Sequence, residues 1–332
     1  VSSIRDLHVK GNHLIAATHG RSFWMIDDLT PLHQLNKNLS LQDFHLFKPN
    51  SAYRLSQSNE NKNTNYKLVG KNHPNGAILN FYIKKLKEGD KISLEIKEKN
   101  GKLIQRYSNT ATKNSLNPEA DLPLNIKSGS NRVIWNIRYP GFKEFDGMVF
   151  YSSPNIGPKA VPGEYKISLN YNGHNKEQTL QIIKDPRLTN TDQDYKNQFD
   201  FLINVRDQVS RANSTIIKIH EVQKDLDYLK DKSEITDEIK DYINRFEKEL
   251  DVIENKIHMT KNQSRQDPLN YGIRINNRIA FLLADSQRGD YPPTNQAVEF
   301  FAEITEELNQ QIQALNNLIE VNLPELNKMI SN

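Results

Sequence analysis

The sequence predicts a multidomain protein of the β-plus-α class, with short strands over its first 186 residues and an antiparallel helical bundle over the rest. Three observations divide it. Of 14 Gly and 14 Pro, only two Gly and four Pro lie in residues 187–332. Many short strands need turn formers spread along them, and long helices exclude them. Charge changes at the same place: residues 1–186 carry 26 Lys+Arg against 16 Asp+Glu, a net of +10, and residues 187–332 carry 18 against 25, a net of −7. The apolar period changes there from two to 3.6.

The first element is a meander. Ile4–Val9 alternates, Gly11-Asn12 turns, Leu14–Thr18 is apolar, His19-Gly20-Arg21-Ser22 turns again, and Phe23–Ile26 follows. Three strands in about 25 residues cannot bury a core of their own. They need partner strands, as in the last blade of a propeller. Val1 opens inside this pattern with no initiator Met, so the chain is expected to be part of a longer polypeptide.

The run His13-Leu14-Ile15-Ala16-Ala17-Thr18-His19-Gly20-Arg21-Ser22-Phe23-Trp24-Met25-Ile26-Asp27-Asp28 resembles the closing blade of large bacterial BNR-repeat, sortilin-like β-propeller proteins, often labelled glycosyl hydrolases or sialidase-like. Leu46-Phe47-Lys48-Pro49 and Ala52-Tyr53-Arg54 are similar to the junction that follows the propeller in that family. The resemblance implies residues 1–30 as blade strands, 31–75 as a connector, and an extracellular or periplasmic location.

Residues 31–75 lack sustained periodicity and include the polar stretch Ser56–Tyr66. From Gly76 the pattern is that of a β-sandwich running to 186. Ile78–Ile83, Ile92–Lys97 and Leu103–Tyr107 are strand-like, the last two joined across Asn100-Gly101, a hairpin signal. Arg132–Tyr139 alternates, with Val133, Trp135 and Ile137 on a core face, and Tyr165–Tyr171 turns at Asn172-Gly173 into Thr179–Ile183. About seven strands over ~110 residues fit an immunoglobulin-like or fibronectin-type sandwich. Arg132–Tyr139 and Pro162–Leu169 also resemble the sandwich that follows the propeller in the same family.

Residues 187–332 are predicted as the helical bundle. Thr191 with Asp194 makes a capping box ahead of a stripe from Phe199 through Leu202, Val205, Val209, Ala212, Ile216 and Ile219 to Leu229. Thr236 or Ser233 caps a second helix carrying Ile239, Ile243, Phe246, Leu250, Ile253 and Ile257. Asp267-Pro268 is expected to cap and start a third running to about Gly289. Thr294 caps a fourth, in which Pro324 is expected to make a kink or a separate last turn. Ser264–Arg278 resembles the C-terminal helical region of the propeller family, so the likeness spans both ends of the chain.

Chemistry is sparse. With no Cys, disulfides, thiol nucleophiles and Cys-ligated metal sites are excluded. The run His220-Glu221-Val222-Gln223-Lys224 has Lys where a zinc-protease helix needs its second His, so no metal is expected, and His13 and His19 read as edge or turn residues. No two Gly are separated by a single residue and no G-x-S-x-G elbow occurs, so neither a phosphate loop nor a serine elbow is present and no cofactor is expected. Aromatics at core spacing argue against nucleic acid, and the longest apolar runs fall far short of a ~20-residue membrane span.

Glycoside hydrolysis needs two carboxyl groups across the bond, and sialidases a Tyr nucleophile. Arg21, Asp27 and Asp28 lie in the blade-like stretch and are the candidate catalytic residues. Their structural alternative is a brace: Arg21 in the hairpin turn, Asp27-Asp28 ending a strand and capping the Leu29–Pro31 turn. The sialidase S-x-D-x-G-x-x-W box is absent. The expectation is an accessory, scaffolding region joined to an upstream propeller, with no complete active site. The alternatives are a carbohydrate-binding module for acidic polysaccharide and a protein-interaction module built on the helices.

Overall fold

The computed structural model describes residues 2–55, 73–112, 116–233 and 235–331; the polar stretch Ser56–Tyr66 lies outside them. The protein is mixed α/β, with several sheets and a C-terminal helical region. It divides into two compact units. The first comprises Val1–Lys113, Glu119–Tyr139 and Lys159–Thr189, and the second Asn114–Pro118, Pro140–Pro158 and Asn190–Asn332.

In the first unit, β1 (Ile4–Lys10), β2 (His13–Thr18) and β3 (Phe23–Ile26) form an antiparallel three-stranded sheet in sequence order. A short helical turn, α1 (Thr30–His33), follows. The expected connector holds two short strands, β4 (Phe44–Leu46) and β5 (Ala52–Arg54). The remaining strands are β6 (Ala77–Ile83), β7 (Ile92–Glu98), β8 (Leu103–Ser108), β9 (Leu122–Pro123), β10 (Gly129–Trp135), β11 (Gly163–Tyr171) and β12 (His174–Lys184).

These strands make two sheets, ordered β10-β6-β4 and β5-β12-β11-β7-β8-β9. One apolar cluster joins them: Leu79, Phe81 and Trp135 from the smaller sheet meet Leu94, Ile96, Ile167, Leu169 and Ile182 from the larger. Alternation explains which residues face inward. The β11–β12 turn uses Asn172 and Gly173, both at positive φ (49° and 86°), the pair a two-residue hairpin favours. Gly76 is required at the start of β6, because at φ 139° a Cβ there would lie 2.3 Å from the Trp135 carbonyl oxygen.

The run Arg132–Tyr139 does not stay extended to its end. Its strand stops at Trp135, and Ile137 is left-handed at φ 52° yet buried. That conformation is strained for a β-branched residue, and here burial of the side chain outweighs it. Trp135 is 1% exposed, its Nε1 donates to the Arg138 carbonyl at 3.0 Å, and its ring meets Tyr165 edge-on at 5.7 Å.

The second unit is built on α2 (Asp192–Lys230), α3 (Asp237–Ile257), α4 (Pro268–Tyr271), α5 (Ile275–Ser286) and α6 (Asn295–Ser331). The Thr191/Asp194 capping box forms in both directions, and Thr236 caps α3. The apolar stripes are buried as spaced, with Val205, Val209, Ala212 and Ile216 of α2 in one cluster with Ile243, Phe246 and Leu250 of α3 and Ile304, Leu308 and Leu315 of α6.

Four expectations are corrected here. The third helix is broken into α4 and α5 by Gly272 at φ 76°, a left-handed break suited to Gly. Asp267 does not cap it; its carboxylate accepts instead from Gln263 N (2.7 Å) and Ser264 N (2.8 Å), closing the preceding turn. α6 continues through Pro324 as one element. Pro140–Pro158, which the sequence reading placed in the sandwich, groups with the helices and sends Phe142 and Phe145 into their core.

Candidate functional site

Arg21, Asp27 and Asp28 all border the β1–β3 sheet but are not brought together. Arg21 lies in the β2–β3 turn and the two aspartates follow β3. Between Arg21 and Asp27 lie Ser22, left-handed at φ 62°, and the four-residue strand Phe23–Ile26, which puts Arg21 and the aspartates at opposite ends of β3. Arg21 is exposed, and its carbonyl accepts from Trp24 Nε1 at 3.1 Å.

Each aspartate is occupied by its own neighbours. Asp27 receives both Arg132 terminal nitrogens, Nη1 on Oδ1 at 3.2 Å and Nη2 on Oδ2 at 3.0 Å. Asp28 Oδ1 accepts from Asn12 Nδ2 (2.7 Å), Thr30 N (3.0 Å) and Asn50 Nδ2 (3.2 Å), and its Oδ2 from Asn80 Nδ2 (3.1 Å). A carboxylate with four donors on it, three of them on Oδ1, is fixed in place as a brace. His13 opens β2 and His19 sits in the turn, where its N donates to Ser3 O at 3.0 Å.

The Arg132 guanidinium holds the Asp27 carboxyl below its ordinary value through the hydrogen bonds it donates. The folded state therefore binds the proton less readily than the unfolded chain, and the pair's contribution is present above about pH 4 and lost as pH falls through the lowered pKa. Both side chains are partly exposed, so Asp27→Asn is expected to cost no more than about 1 kcal/mol at neutral pH. Urea unfolding followed by Trp fluorescence should show the difference from the native chain vanish in strong acid.

The feature that sets this sheet apart is its uncovered apolar surface. The register pairs Leu7 with Ala16 and Ala16 with Trp24, and Val9 with Leu14 and Leu14 with Ile26. Directly paired residues share a face, so Leu7, Val9, Leu14, Ala16, Trp24 and Ile26 form one apolar patch, with Ile4 and Thr18 at its edge. It is open: Leu7 is 56% exposed, Val9 58% and Trp24 65%. Phe23, on the opposite face, is 75% exposed.

The larger sheet bears on the polysaccharide expectation. Two of its cations, Lys97 and Arg106, converge on one buried carboxylate, Glu95, at 2.6 and 2.7 Å. They are committed to each other across β7 and β8 rather than gathered as an anion site.

Sequence reading missed a polar cluster in the second unit. His220 Nε2 donates to Glu254 Oε1 at 2.7 Å, and Glu254 is buried. Asn276, fully buried, donates through Nδ2 to Asn213 Oδ1 (3.1 Å) and to His258 Nδ1 (3.2 Å). Asn277 holds the 151–153 strip, accepting from Tyr151 N at 2.8 Å and donating to Tyr151 O at 3.1 Å. Arg278 pairs with Glu307 at 2.8 Å and lies 5.4 Å from the Phe300 ring. The run Arg274–Arg278 thus braces α5 to its surroundings. The only sequence signal for the cluster was polar residues falling inside apolar stripes, such as Glu254 beside Ile253.

A cavity of about 460 Å³ opens beside His220, lined by Leu116, Lys143, Phe145, Asp146, Ile217 and Lys224 among others. Its lining carries charges of both signs, Lys143 and Lys224 with Glu144, Asp146 and Glu221, beside the apolar Leu116, Phe145 and Ile217. Among the described residues no group of three His, Asp or Glu side chains is placed to hold a metal ion, and no helix is long and apolar enough to cross a membrane.

No family model matches the sequence, and no curated protein matches it. Among solved structures, the chain described as "pT26-6p" aligns with 72% of this chain at 13% identity, with a TM-score of 0.13. This chain spans 46% of that one's length. A likeness of this size carries no argument about fold or activity.

Proposed function

We propose that this chain is the accessory, scaffolding C-terminal region of a secreted β-propeller protein of the glycosyl-hydrolase type (BNR-repeat, sialidase-like). In this reading β1–β3 are strands of the closing blade, the two packed sheets are an immunoglobulin-like sandwich, and the helices form the terminal bundle. The partner is the propeller of the same polypeptide, and any substrate site belongs to its other blades.

One observation carries the reading: the apolar patch made by Leu7, Val9, Leu14, Ala16, Trp24 and Ile26, in which Leu7, Val9, Trp24 and Ile26 are exposed. Blades of a propeller are stacked radially around a central channel, so blade strands hidden there would expose such a face when shown without their neighbours. Covering the half-exposed Leu7, Val9, Trp24 and Ile26 would contribute on the order of 1 kcal/mol each. A solvent-adapted antiparallel sheet would instead alternate with polar residues on its free face. Asp27 and Asp28 support the same reading, since both tie the sheet to the sandwich through Arg132 and Asn80.

The test is hydrolysis of sialosides and of neutral and acidic glycosides by the chain itself. No turnover is expected. Turnover abolished by Asp27→Asn or Asp28→Asn, with the fold intact by circular dichroism, would contradict the scaffolding reading.

A further inference from the structure

The buried polar chain in the second unit has an acid-sensitive logic, and it is independent of the scaffolding reading. Both its ends are fixed by backbone groups. At one end Asn213 Nδ2 donates to the Lys143 carbonyl at 2.7 Å, so Asn213 must present its Oδ1 to Asn276. At the other end Asn277 N donates to Asn276 Oδ1 at 2.8 Å, so Asn276 must present its Nδ2 to both Asn213 and His258. A side-chain amide nitrogen only donates. His258 Nδ1 is therefore obliged to accept, and the imidazole must be neutral with its proton on Nε2.

We propose that His258 is an acid-opened latch, whose protonation turns this acceptor into a donor facing Asn276 and releases the Lys143–Met148 strip from the helices. Protonated Nδ1 would confront the Asn276 amide donor to donor. Relief needs the Asn276 amide to turn, and turning it breaks the bonds to Asn213 and to Asn277 N. The turned Asn276 oxygen then faces Asn213 Oδ1 acceptor to acceptor, and relief there needs the Asn213 amide to turn in its own place, which takes its Nδ2 off the Lys143 carbonyl. Phe145 packs edge-on against His258 at 4.9 Å, so no water replaces the lost partner while the strip stays docked.

The charged surroundings are few. α2 brings His220, with Glu221 and Lys224 further out; α3 brings Glu254; the strip brings Lys143, Glu144 and Asp146 at the rim. Facing His258 from α5 is the uncharged Asn276. Burial, the largest effect, pushes His258 down from its ordinary value; the Glu254 charge favours the proton, a hydrogen bond to Asn276 favours it only once that amide has turned its oxygen to the ring, and His220 opposes it. His220 is pushed up by its hydrogen bond to Glu254.

The signs separate the two histidines. His220, raised, contributes fully below its unfolded value near 6.5 and loses that contribution only as pH rises through its folded value. His258, lowered, takes its proton in the unfolded chain first, so stability falls as pH drops below about 6.5. As pH falls from about 6 to 5, His220 becomes charged in both states, and of the two histidines of the second unit it is His258 that changes the balance; His45, also pushed down by burial, belongs to the first unit.

The start of the strip keeps two bonds outside the polar chain, Lys143 N on Ser210 Oγ at 3.1 Å and Glu144 N on the Leu116 carbonyl at 3.0 Å, and the 151–156 part has its own anchors, Asn277 on Tyr151 and Gln287 Nε2 on the Ile156 carbonyl at 3.0 Å. Release is therefore local. Hydrogen exchange of the whole chain, corrected for intrinsic pH dependence, should show amides at 143–148 losing protection between pH 6.5 and 5, by at most about 30-fold, the ratio of proton activities. Protection at 151–153 should hold. In His258→Gln, which offers an acceptor that does not titrate, the loss at 143–148 should disappear. Side-chain ¹H–¹⁵N spectra of the native chain should show His258 protonated on Nε2 alone and titrating below His220. Full protection of 143–148 at pH 5, the same loss in His258→Gln, or His258 protonated on Nδ1 at neutral pH would each overturn the latch.

Discussion

Trp135→Ala is expected to cost the first unit about 3–5 kcal/mol, the range for emptying a large aromatic site in a packed core. Trp135 fills the space between the two sheets, where its ring meets Tyr165 and its Nε1 satisfies the Arg138 carbonyl. Neighbouring Ile137 is already held at a strained φ of 52°, so the segment has little freedom to collapse into the void. A small domain has only about 5–15 kcal/mol in all. Hydrogen exchange should show β6, β7 and β11 losing most of their protection while α2 and α3 keep theirs. Unchanged protection in β6 and β11 would mean that the indole is not the centre of that core.

The second large effect is expected at Asn276. Asn276→Leu, nearly the same size, leaves Asn213 Oδ1, His258 Nδ1 and Asn277 N without the partner they have in the native protein. Each buried polar group stranded in this way costs ~1–3 kcal/mol, partly offset by the gain of an apolar side chain, so a net loss of ~2–4 kcal/mol is expected. Far-UV circular dichroism reports it, because the helices dominate that signal, and Trp fluorescence should not move with it, since Trp24 and Trp135 both belong to the first unit. A neutral or stabilising substitution would show that the three contacts are dispensable.

Periodic apolar spacing made α2, α3 and α6 legible, because a helix buries one stripe whatever its partners are. Thr191 and Asp194 marked the start of α2 through purely local bonds. The losses came where tertiary context decides. Gly272 reads as a tolerable helix residue until its left-handed φ ends α4. Asp267-Pro268 carries a start signal, but the preceding turn takes the carboxylate. β4 and β5 are three residues each, too short for a period-two pattern, and β5 is fixed by parallel pairing of Ala52–Arg54 with Ile182–Lys184, some 130 positions away.

The sites follow the same division. The turn positions of Arg21, Asp27 and Asp28 were readable from Gly and Asp spacing, whereas Arg132 as the partner of Asp27, 105 residues distant, was not. His220 was read against a zinc motif on its own helix, while its actual partner Glu254 comes from α3. Asn213 and Asn276 are poor helix formers whose bonds, apart from the one Asn276 Oδ1 accepts from Asn277 N, leave their own helices, and that mismatch is the trace their buried pairing leaves in the sequence.

The exposed apolar face of β1–β3 is tested most directly by hydrogen exchange and acrylamide quenching of Trp24, measured on this chain and on a longer polypeptide that carries the proposed propeller. In the chain alone, Trp24 should be freely quenched and residues 4–26 should exchange far faster than β6 and β11; in the longer polypeptide both should become protected. Equal exposure of Trp24 and equal exchange of residues 4–26 in the two proteins would contradict the blade assignment and the scaffolding role built on it.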